Sequence, residues 1–337
     1  MDREYRNRDR SFFFPIALIT AGVIWLLVNN GSVPVENLYR LLPFWPVLII
    51  LAGISLLFRR MWWPLNALMW AVVAVLVVWL LTSGSAFLPQ TQSLELKHET
   101  LRETLGSAKS ASVNLDLSIR PTTVHALADA NDLMVADVYS VTGMVLDASG
   151  GERKNVQLRE NFGGNNFVFN PRIDQWIESA SRPWDIGLST KVPLELKVDA
   201  GTGSTDLNLE KLQLETLQVN VGTGSMDISL PESQAALPVK IDGGTGGIAV
   251  RLAGNTPVEL TINGGTGGVN ITLPANAAVQ VEVRDGGTGS LNLPAGFTKV
   301  RGDAQEDEGT WENAAFSGAK IPVKIILDIG TGSVTIR

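Results

Sequence analysis

The chain has 337 residues, 34 acidic against 27 basic side chains, a net charge of −7 and no cysteine. Its length allows two or more domains with cores of their own. The acidic balance excludes a broad basic field for nucleic acid, and the missing cysteine excludes disulfides, thiolate metal sites and cysteine nucleophiles.

Positive mean hydropathy conceals two different polymers: residues 12–94 hold only four charged side chains, Glu36, Arg40, Arg59 and Arg60. After a polar tail, 1–11, this section contains three uncharged apolar stretches, 12–28, 41–58 and 64–81. Each is about as long as the minimum for crossing a bilayer core, where only helices satisfy their own backbone polar groups. They predict a three-helix transmembrane domain over 12–82, with the lipid bilayer as first partner. The first stretch lacks a small-residue cleavage site and is followed by two more, so it does not read as a removable signal peptide. Arg3, Arg6, Arg8 and Arg10 in the tail and Arg59-Arg60 after the second stretch outweigh Arg40 and Lys97 on the other side. The positive-inside rule then places the N-terminus in the cytoplasm. Three crossings put the remainder outside the cell membrane; two crossings would put it in the cytoplasm. Trp25, Trp45, Trp62, Trp63 and Trp79 fall towards the stretch ends, as an interfacial belt requires.

Residues 83–110 read as a juxtamembrane linker, starting with Ser-Gly-Ser and then Pro, Gln and Thr. Over 111–193 the alternation Val113/Leu115/Leu117/Ile119, Leu133/Val135 and Val156/Leu158 predicts an irregular β entry section, either loosely paired strands or early solenoid coils with loops. Trp184 is expected to plug the core where that section meets the repeats.

Residues 194–337 carry the most specific signal. Gly-Thr-Gly recurs with its threonine at Thr202, Thr223, Thr245, Thr266, Thr288 and Thr331, spaced 21 or 22 residues apart with one double gap of 43. A fixed period of this size marks a solenoid. The arms on both sides alternate apolar residues, as in Leu194/Leu196/Val198 before the first corner and Met226/Ile228/Leu230 after the second. That period of two predicts strands with one buried face. The expected fold is therefore a membrane-anchored, mainly β protein whose regular part is a β-solenoid of roughly 21-residue coils.

Three positions before each threonine stands Asp199, Asn220, Asp242, Asn263, Asp285 or Asp328. Short Asx side chains hydrogen-bond backbone amides at tight turns, so stacked coils would carry an Asx ladder beside a threonine ladder. Calcium binding by aligned carboxylates is the competing reading. It lacks the nonapeptide period, a second acid in the turn and charge density, and two of the six positions are neutral. No P-loop lysine accompanies the Gly-Thr-Gly-Ser run, so phosphate binding is weaker still. No metal or cofactor is expected.

Between 295 and 319 the pattern breaks at an acidic run, Asp303, Glu306, Asp307 and Glu308, followed by Trp311 and Phe316. The segment is either an inserted loop or a degenerate coil, since Gly309-Thr310 falls at the expected period. Trp311 and Phe316 read as a cap over the solenoid end, or as a contact loop.

Catalytic signals are thin. His98 and His125 are the only histidines and lack metal-ligand spacing, and no nucleophile elbow is present. Asp206 and Asp227 recur after the corner and could mimic a glycan-cleaving pair. Equivalent positions in later coils are Ala249, Asn270 and Asn292, which favours solvated surface and a protein that is not an enzyme.

The run Asn37–Gly53, with Leu-Leu-Pro-Phe-Trp-Pro at its centre and Arg59-Arg60 beyond it, resembles the transmembrane unit of LiaI/LiaF-type bacterial membrane proteins. Trp184-Asp185-Ile186-Gly187-Leu188-Ser189, then Val192-Pro193-Leu194 and the Gly-x-Gly-Ser coils, is similar to the toastrack β-solenoid of LiaF-like proteins. The resemblance implies a non-enzymatic regulator of envelope-stress signalling whose partner is a membrane protein such as a two-component histidine kinase. Gly-Thr-Gly stands here where many relatives carry Gly-Ala-Gly, and the acidic insertion is a further departure. A self-assembling envelope protein, acting as a homo-oligomer, and a glycan-active β-helix enzyme are the alternatives.

Overall fold

The structure, a computed structural model, describes residues 13–30, 50, 63–82, 96–161 and 182–337, except 118, 129–130, 141–142, 255, 304–307 and 321. It divides into a helical unit within residues 1–94 and a β-unit after it.

In the helical unit, α1 (Phe13–Asn29) and α2 (Trp63–Thr82) pack against each other. Neither contains a charged residue. Pro15 and Pro64 lie in the first turns, where a missing N–H costs no intrahelical bond. At the other end of α2, Thr82 Oγ1 donates to the Val78 carbonyl at 2.9 Å. Leu18, Ile19, Val23, Trp25 and Leu26 on α1, and Val72, Val75, Leu76 and Trp79 on α2, are exposed. No helix among the described residues is long and apolar enough to cross a membrane. α1 stops at 17 residues, and the described side chains of α2 begin at Trp70. The tail 1–11 and the 41–58 stretch, apart from Ile50, lie outside the described residues.

The β-unit begins with β1 (Lys97–Thr104), inside the stretch read as linker. Its inward positions are Glu99, Leu101 and Glu103, so the strand lacks an apolar alternation. The acids are held instead by partners far along the chain: Glu99 accepts from the Met144 amide and Glu103 from Lys154 Nζ. A coil follows, β2 (Ser110–Leu117) and β3 (Thr122–Ala126), then β4 (Asp132–Ser140) and β5 (Met144–Gly150). A second coil is β6 (Arg153–Glu160) with β7 (Trp184–Leu188). The regular coils are β8 (Leu194–Thr202) with β9 (Thr205–Asn208), β10 (Leu214–Thr223) with β11 (Met226–Ser229), β12 (Leu237–Asp242) with β13 (Ile248–Arg251), and β14 (Val258–Asn263) with β15 (Val269–Thr272). After β16 (Ala278–Asp285) and β17 (Leu291–Asn292) come β18 (Phe297–Arg301), β19 (Gly309–Asn313), β20 (Pro322–Asp328) and β21 (Val334–Ile336).

Each coil contributes one strand to each of two sheets, which enclose one aliphatic core. Parallel pairing aligns identical positions: Leu196, Leu217, Val239, Leu260, Ile325 and Val281 form one buried row. Leu207, Ile228, Val250, Ile271 and Ile336 form another on the opposite sheet. Full burial of such a side chain is worth roughly 1.5–3 kcal/mol. Because alternation has a period of two, a slip by one residue would turn a whole row to solvent.

The coils are not stacked in chain order. From one end to the other they run β6/β7, β2/β3, β8/β9, β10/β11, β12/β13, β14/β15, β20/β21 and β16/β17. The last coil in sequence therefore lies between β14/β15 and β16/β17. The entry section likewise contributes two coils to the stack, with β2/β3 set between β6/β7 and β8/β9. Antiparallel strands finish the outermost coils: β5 on β6, β4 on β7 with β1 beyond β4, and the β18–β19 hairpin on β16.

Candidate functional site: the corner ladder and the capped ends

The six Gly-Thr-Gly corners lie in a single row. Thr202 sits opposite Thr223 and Thr223 opposite Thr245. The amides of Thr245, Thr266, Thr331 and Thr288 donate to the carbonyls of Gly222, Gly244, Gly265 and Gly330 at 2.9–3.1 Å. The spatial order is thus Thr202, Thr223, Thr245, Thr266, Thr331, Thr288. All six threonines are exposed; the glycines set the spacing. A Cβ at Gly267 would lie 1.5 Å from the Gly246 carbonyl oxygen. At Gly224 a side chain would meet the Gly203 oxygen at 1.9 Å, and φ there is +143°, a region that only glycine adopts easily. Backbone against backbone fills the space between neighbouring corners.

The Asx column runs Asp116, Asp199, Asn220, Asp242, Asn263, Asp328, Asp285. Asp116 is an addition that its glycine-free corner hid in the sequence. The side chains bond to one another more than to turn amides. Asn220 Nδ2 donates to Asp199 Oδ1, and Asn263 Nδ2 to Asp242 Oδ1. Only Asp285 shows the amide bond expected, accepting from Gly287 N at 2.9 Å. An amide between two carboxylates removes a like-charge pairing and supplies a donor. Partial burial pushes the Asp242 carboxyl upward, but hydrogen bonds from Lys240 and Asn263 and the Lys240 charge outweigh it, leaving it below the ordinary carboxylate range. Lys240 Nζ lies 3.0 Å from Asp242 Oδ2, and Lys197 Nζ 3.0 Å from Asp199 Oδ2.

At the C-terminal cap, Trp311 is half-buried against the core, opposite Val281, with Lys299 Nζ 4.7 Å from its ring centre. Asn313 clamps the hairpin by accepting from Val279 N at 3.0 Å and donating to the Ala277 carbonyl at 2.7 Å. Phe316 is half-buried in the turn that follows. At the other end Trp184 is fully buried and donates from Nε1 to the Tyr139 carbonyl at 2.8 Å. Arg120 lies over that ring, its guanidinium held below the ordinary value by burial and opposed by the Glu160 charge.

Strand pairing creates one grouping that sequence spacing could not reveal. On the outer face of the β1-β4-β7-β3 sheet, Asp137 and Asp185 are direct cross-strand partners. His98 pairs with Asp137, and His125 Nε2 lies 2.8 Å from Asp185 Oδ1. The ring of His98 stacks on Tyr139 with centroids 4.5 Å apart. The two histidines flank the carboxylates on opposite sides, and among the described residues no three metal-ligating side chains form a site. Asp206 and Asp227 are neighbours on the same sheet's exposed face.

Residues 90–251 match the family described as the N-terminal domain of toast_rack, DUF2154. The β-domain is toastrack-like. No curated protein matches the chain. Among solved structures, a candidate cell adhesion protein from Clostridium sporogenes is 19% identical with a TM-score of 0.49, covering 72% of this chain and 99% of its own. A candidate adhesin from Bacteroides fragilis is 10% identical with a TM-score of 0.28, covering 72% of this chain and 97% of its own. The match takes in β1, inside the 83–110 stretch, and both coils of the entry section.

Proposed function

We propose that the protein is a non-enzymatic scaffold or sensor of the bacterial cell membrane, LiaI/LiaF-like in organisation, with its toastrack domain on the extracytoplasmic side. Its partner in this reading is another membrane protein, a two-component histidine kinase of the envelope-stress response being the kind the resemblance implies. The observation that carries it is a division of labour: the repeated residues serve coil stacking, while the helices turn uncharged apolar surface outward. Exposed apolar side chains on α1 and α2 are what an aqueous surface disfavours and what lipid or a partner helix accommodates. Ala71, Val72, Val75, Leu76 and Trp79 line a shallow apolar groove on α2 that suits either.

A regulator of this kind needs no reaction chemistry. The corner glycines meet backbone, the Asx side chains meet one another, and the exposed acid pair Asp206–Asp227 is not continued in the neighbouring coils. The test is capture from native membranes with the full chain as bait, with a site-specific photo-crosslinker in the α2 groove and, separately, on the outer faces of the sheets. The reading expects a histidine kinase in the groove crosslinks. Crosslinks only to lipid and to abundant, unrelated proteins, in repeated captures, would overturn the signalling role.

A further inference from the structure

The solenoid fills one of its positions out of turn. After β14/β15 the chain does not continue to the adjacent place in the stack. It skips one coil, builds β16/β17 and the β18–β19 hairpin, and then returns to lay β20/β21 into the gap. The skip runs through residues 274–277 and contains Asn276 at φ +63°, the one non-glycine residue with positive φ among those described. Asn tolerates that region better than most residues.

Both walls of this gap are complete before its occupant is reached along the chain. They are also repeats of the same pattern, with Leu260 and Ile262 on one side and Val281 and Val283 on the other of Ile325 and Leu327. Any coil with alternating aliphatic residues and a Gly-Thr-Gly corner meets the same hydrogen bonds there. The seam towards β16 is the less regular one. It carries a register shift between Val283 and Asp285, it sets Asp285 opposite Asp328, and β17 meets β21 over only two residue pairs. Like charges directly opposed in a sheet destabilise it. The connection from β17 to β20, residues 293–321, is 29 residues long and would span about 95 Å with the hairpin opened.

We infer that the slot between β14/β15 and β16/β17 is a strand-acceptor site whose second occupant is the β20/β21 coil of another copy of this chain. Exchange keeps the contacts of the β20/β21 coil with both walls and changes which chain supplies it, the route by which repeat proteins form dimers at low cost. The inference rests on topology and holds on either side of a membrane.

The test uses two single-cysteine full chains, which is clean because the native sequence has none. Glu259 and Lys324 are paired across β14 and β20 and both are exposed, so Glu259→Cys and Lys324→Cys leave the core intact. Neighbouring strands bring Cα atoms within the range a disulfide accepts. The two variants are mixed at high concentration, taken through mild denaturant and back, and oxidised. The mixed disulfide dimer should exceed either like-with-like dimer at least severalfold, because only an exchanged coil places the two positions together. Mixed and like-with-like dimers in the proportions of random collision would overturn it. The double variant in one chain should close its own disulfide; if it stays open, the interleaved order is wrong and the inference falls with it.

Discussion

The corner row makes opposite demands on glycines that stand side by side. Gly267 has backbone 1.5 Å from where a Cβ would go, whereas the nearest atom at Gly268 is 3.7 Å away. Gly267→Ala should cost at least about 3 kcal/mol or prevent folding, because no rotamer relieves a clash with backbone. Gly268→Ala should stay within about 0.5 kcal/mol. Chemical denaturation of the two variants, measured side by side, checks this. In the Asx column, Asn220→Asp would set carboxylates on four successive coils and remove the donor to Asp199. A loss of about 1 kcal/mol at neutral pH is expected, shrinking as pH falls into the carboxylate range. Asp242 works in the other direction. Its carboxyl titrates below the ordinary range, so its contribution is present above that range and fades as pH falls through the lowered value. Titration of Asp242 by NMR should show an upward move in Lys240→Met. Glycine and Asx spacing made both columns legible in the sequence, but not what the Asx groups bond to. That depends on alternation of Asp and Asn between neighbouring coils, visible only once coils are set in spatial order.

Elements were legible where a strand has one apolar face and obscure where it does not. The arms of the Gly-Thr-Gly coils have apolar residues at nearly every inward position, Thr205 in β9 being an exception, and their strands fall where the alternation places them. β1 hides because Glu99 and Glu103 point inward and are satisfied by Met144 and Lys154, partners more than forty residues away. Lys154→Met should therefore loosen β1 selectively, raising amide exchange over Lys97–Thr104 while β10–β15 stay protected. The β18–β19 hairpin lies in a stretch left open between loop and coil, and its antiparallel pairing finishes the sheet. Since Trp311 is its half-buried anchor, Trp311→Ala should cost about 2 kcal/mol, below the 3–5 typical of a fully buried aromatic. Lys299→Ala should cost well under half as much, in keeping with a half-buried cation over a ring. Thermal unfolding of the pair separates the two contributions.

For the whole molecule, the sequence period predicted the solenoid but not its stacking order. A period reports that coils are equivalent, and equivalent coils can be interleaved without changing a single inward residue. Of the two readings of the entry section the coils are the one observed: β2/β3 and β6/β7 stack as coils although no glycine triplet marks them in the sequence. The charge-poor N-terminal section and the toastrack-like domain together underlie the central proposal, a β-solenoid held outside the cell membrane by uncharged helices. Single cysteines decide it most directly, placed at exposed Glu210 in the β9–β10 turn and at Asp9 in the basic tail. Intact cells are treated with a membrane-impermeant maleimide before and after permeabilisation. Labelling of Glu210→Cys in intact cells, with Asp9→Cys labelled only after permeabilisation, is the result predicted. Protection of Glu210→Cys until the membrane is opened would contradict it.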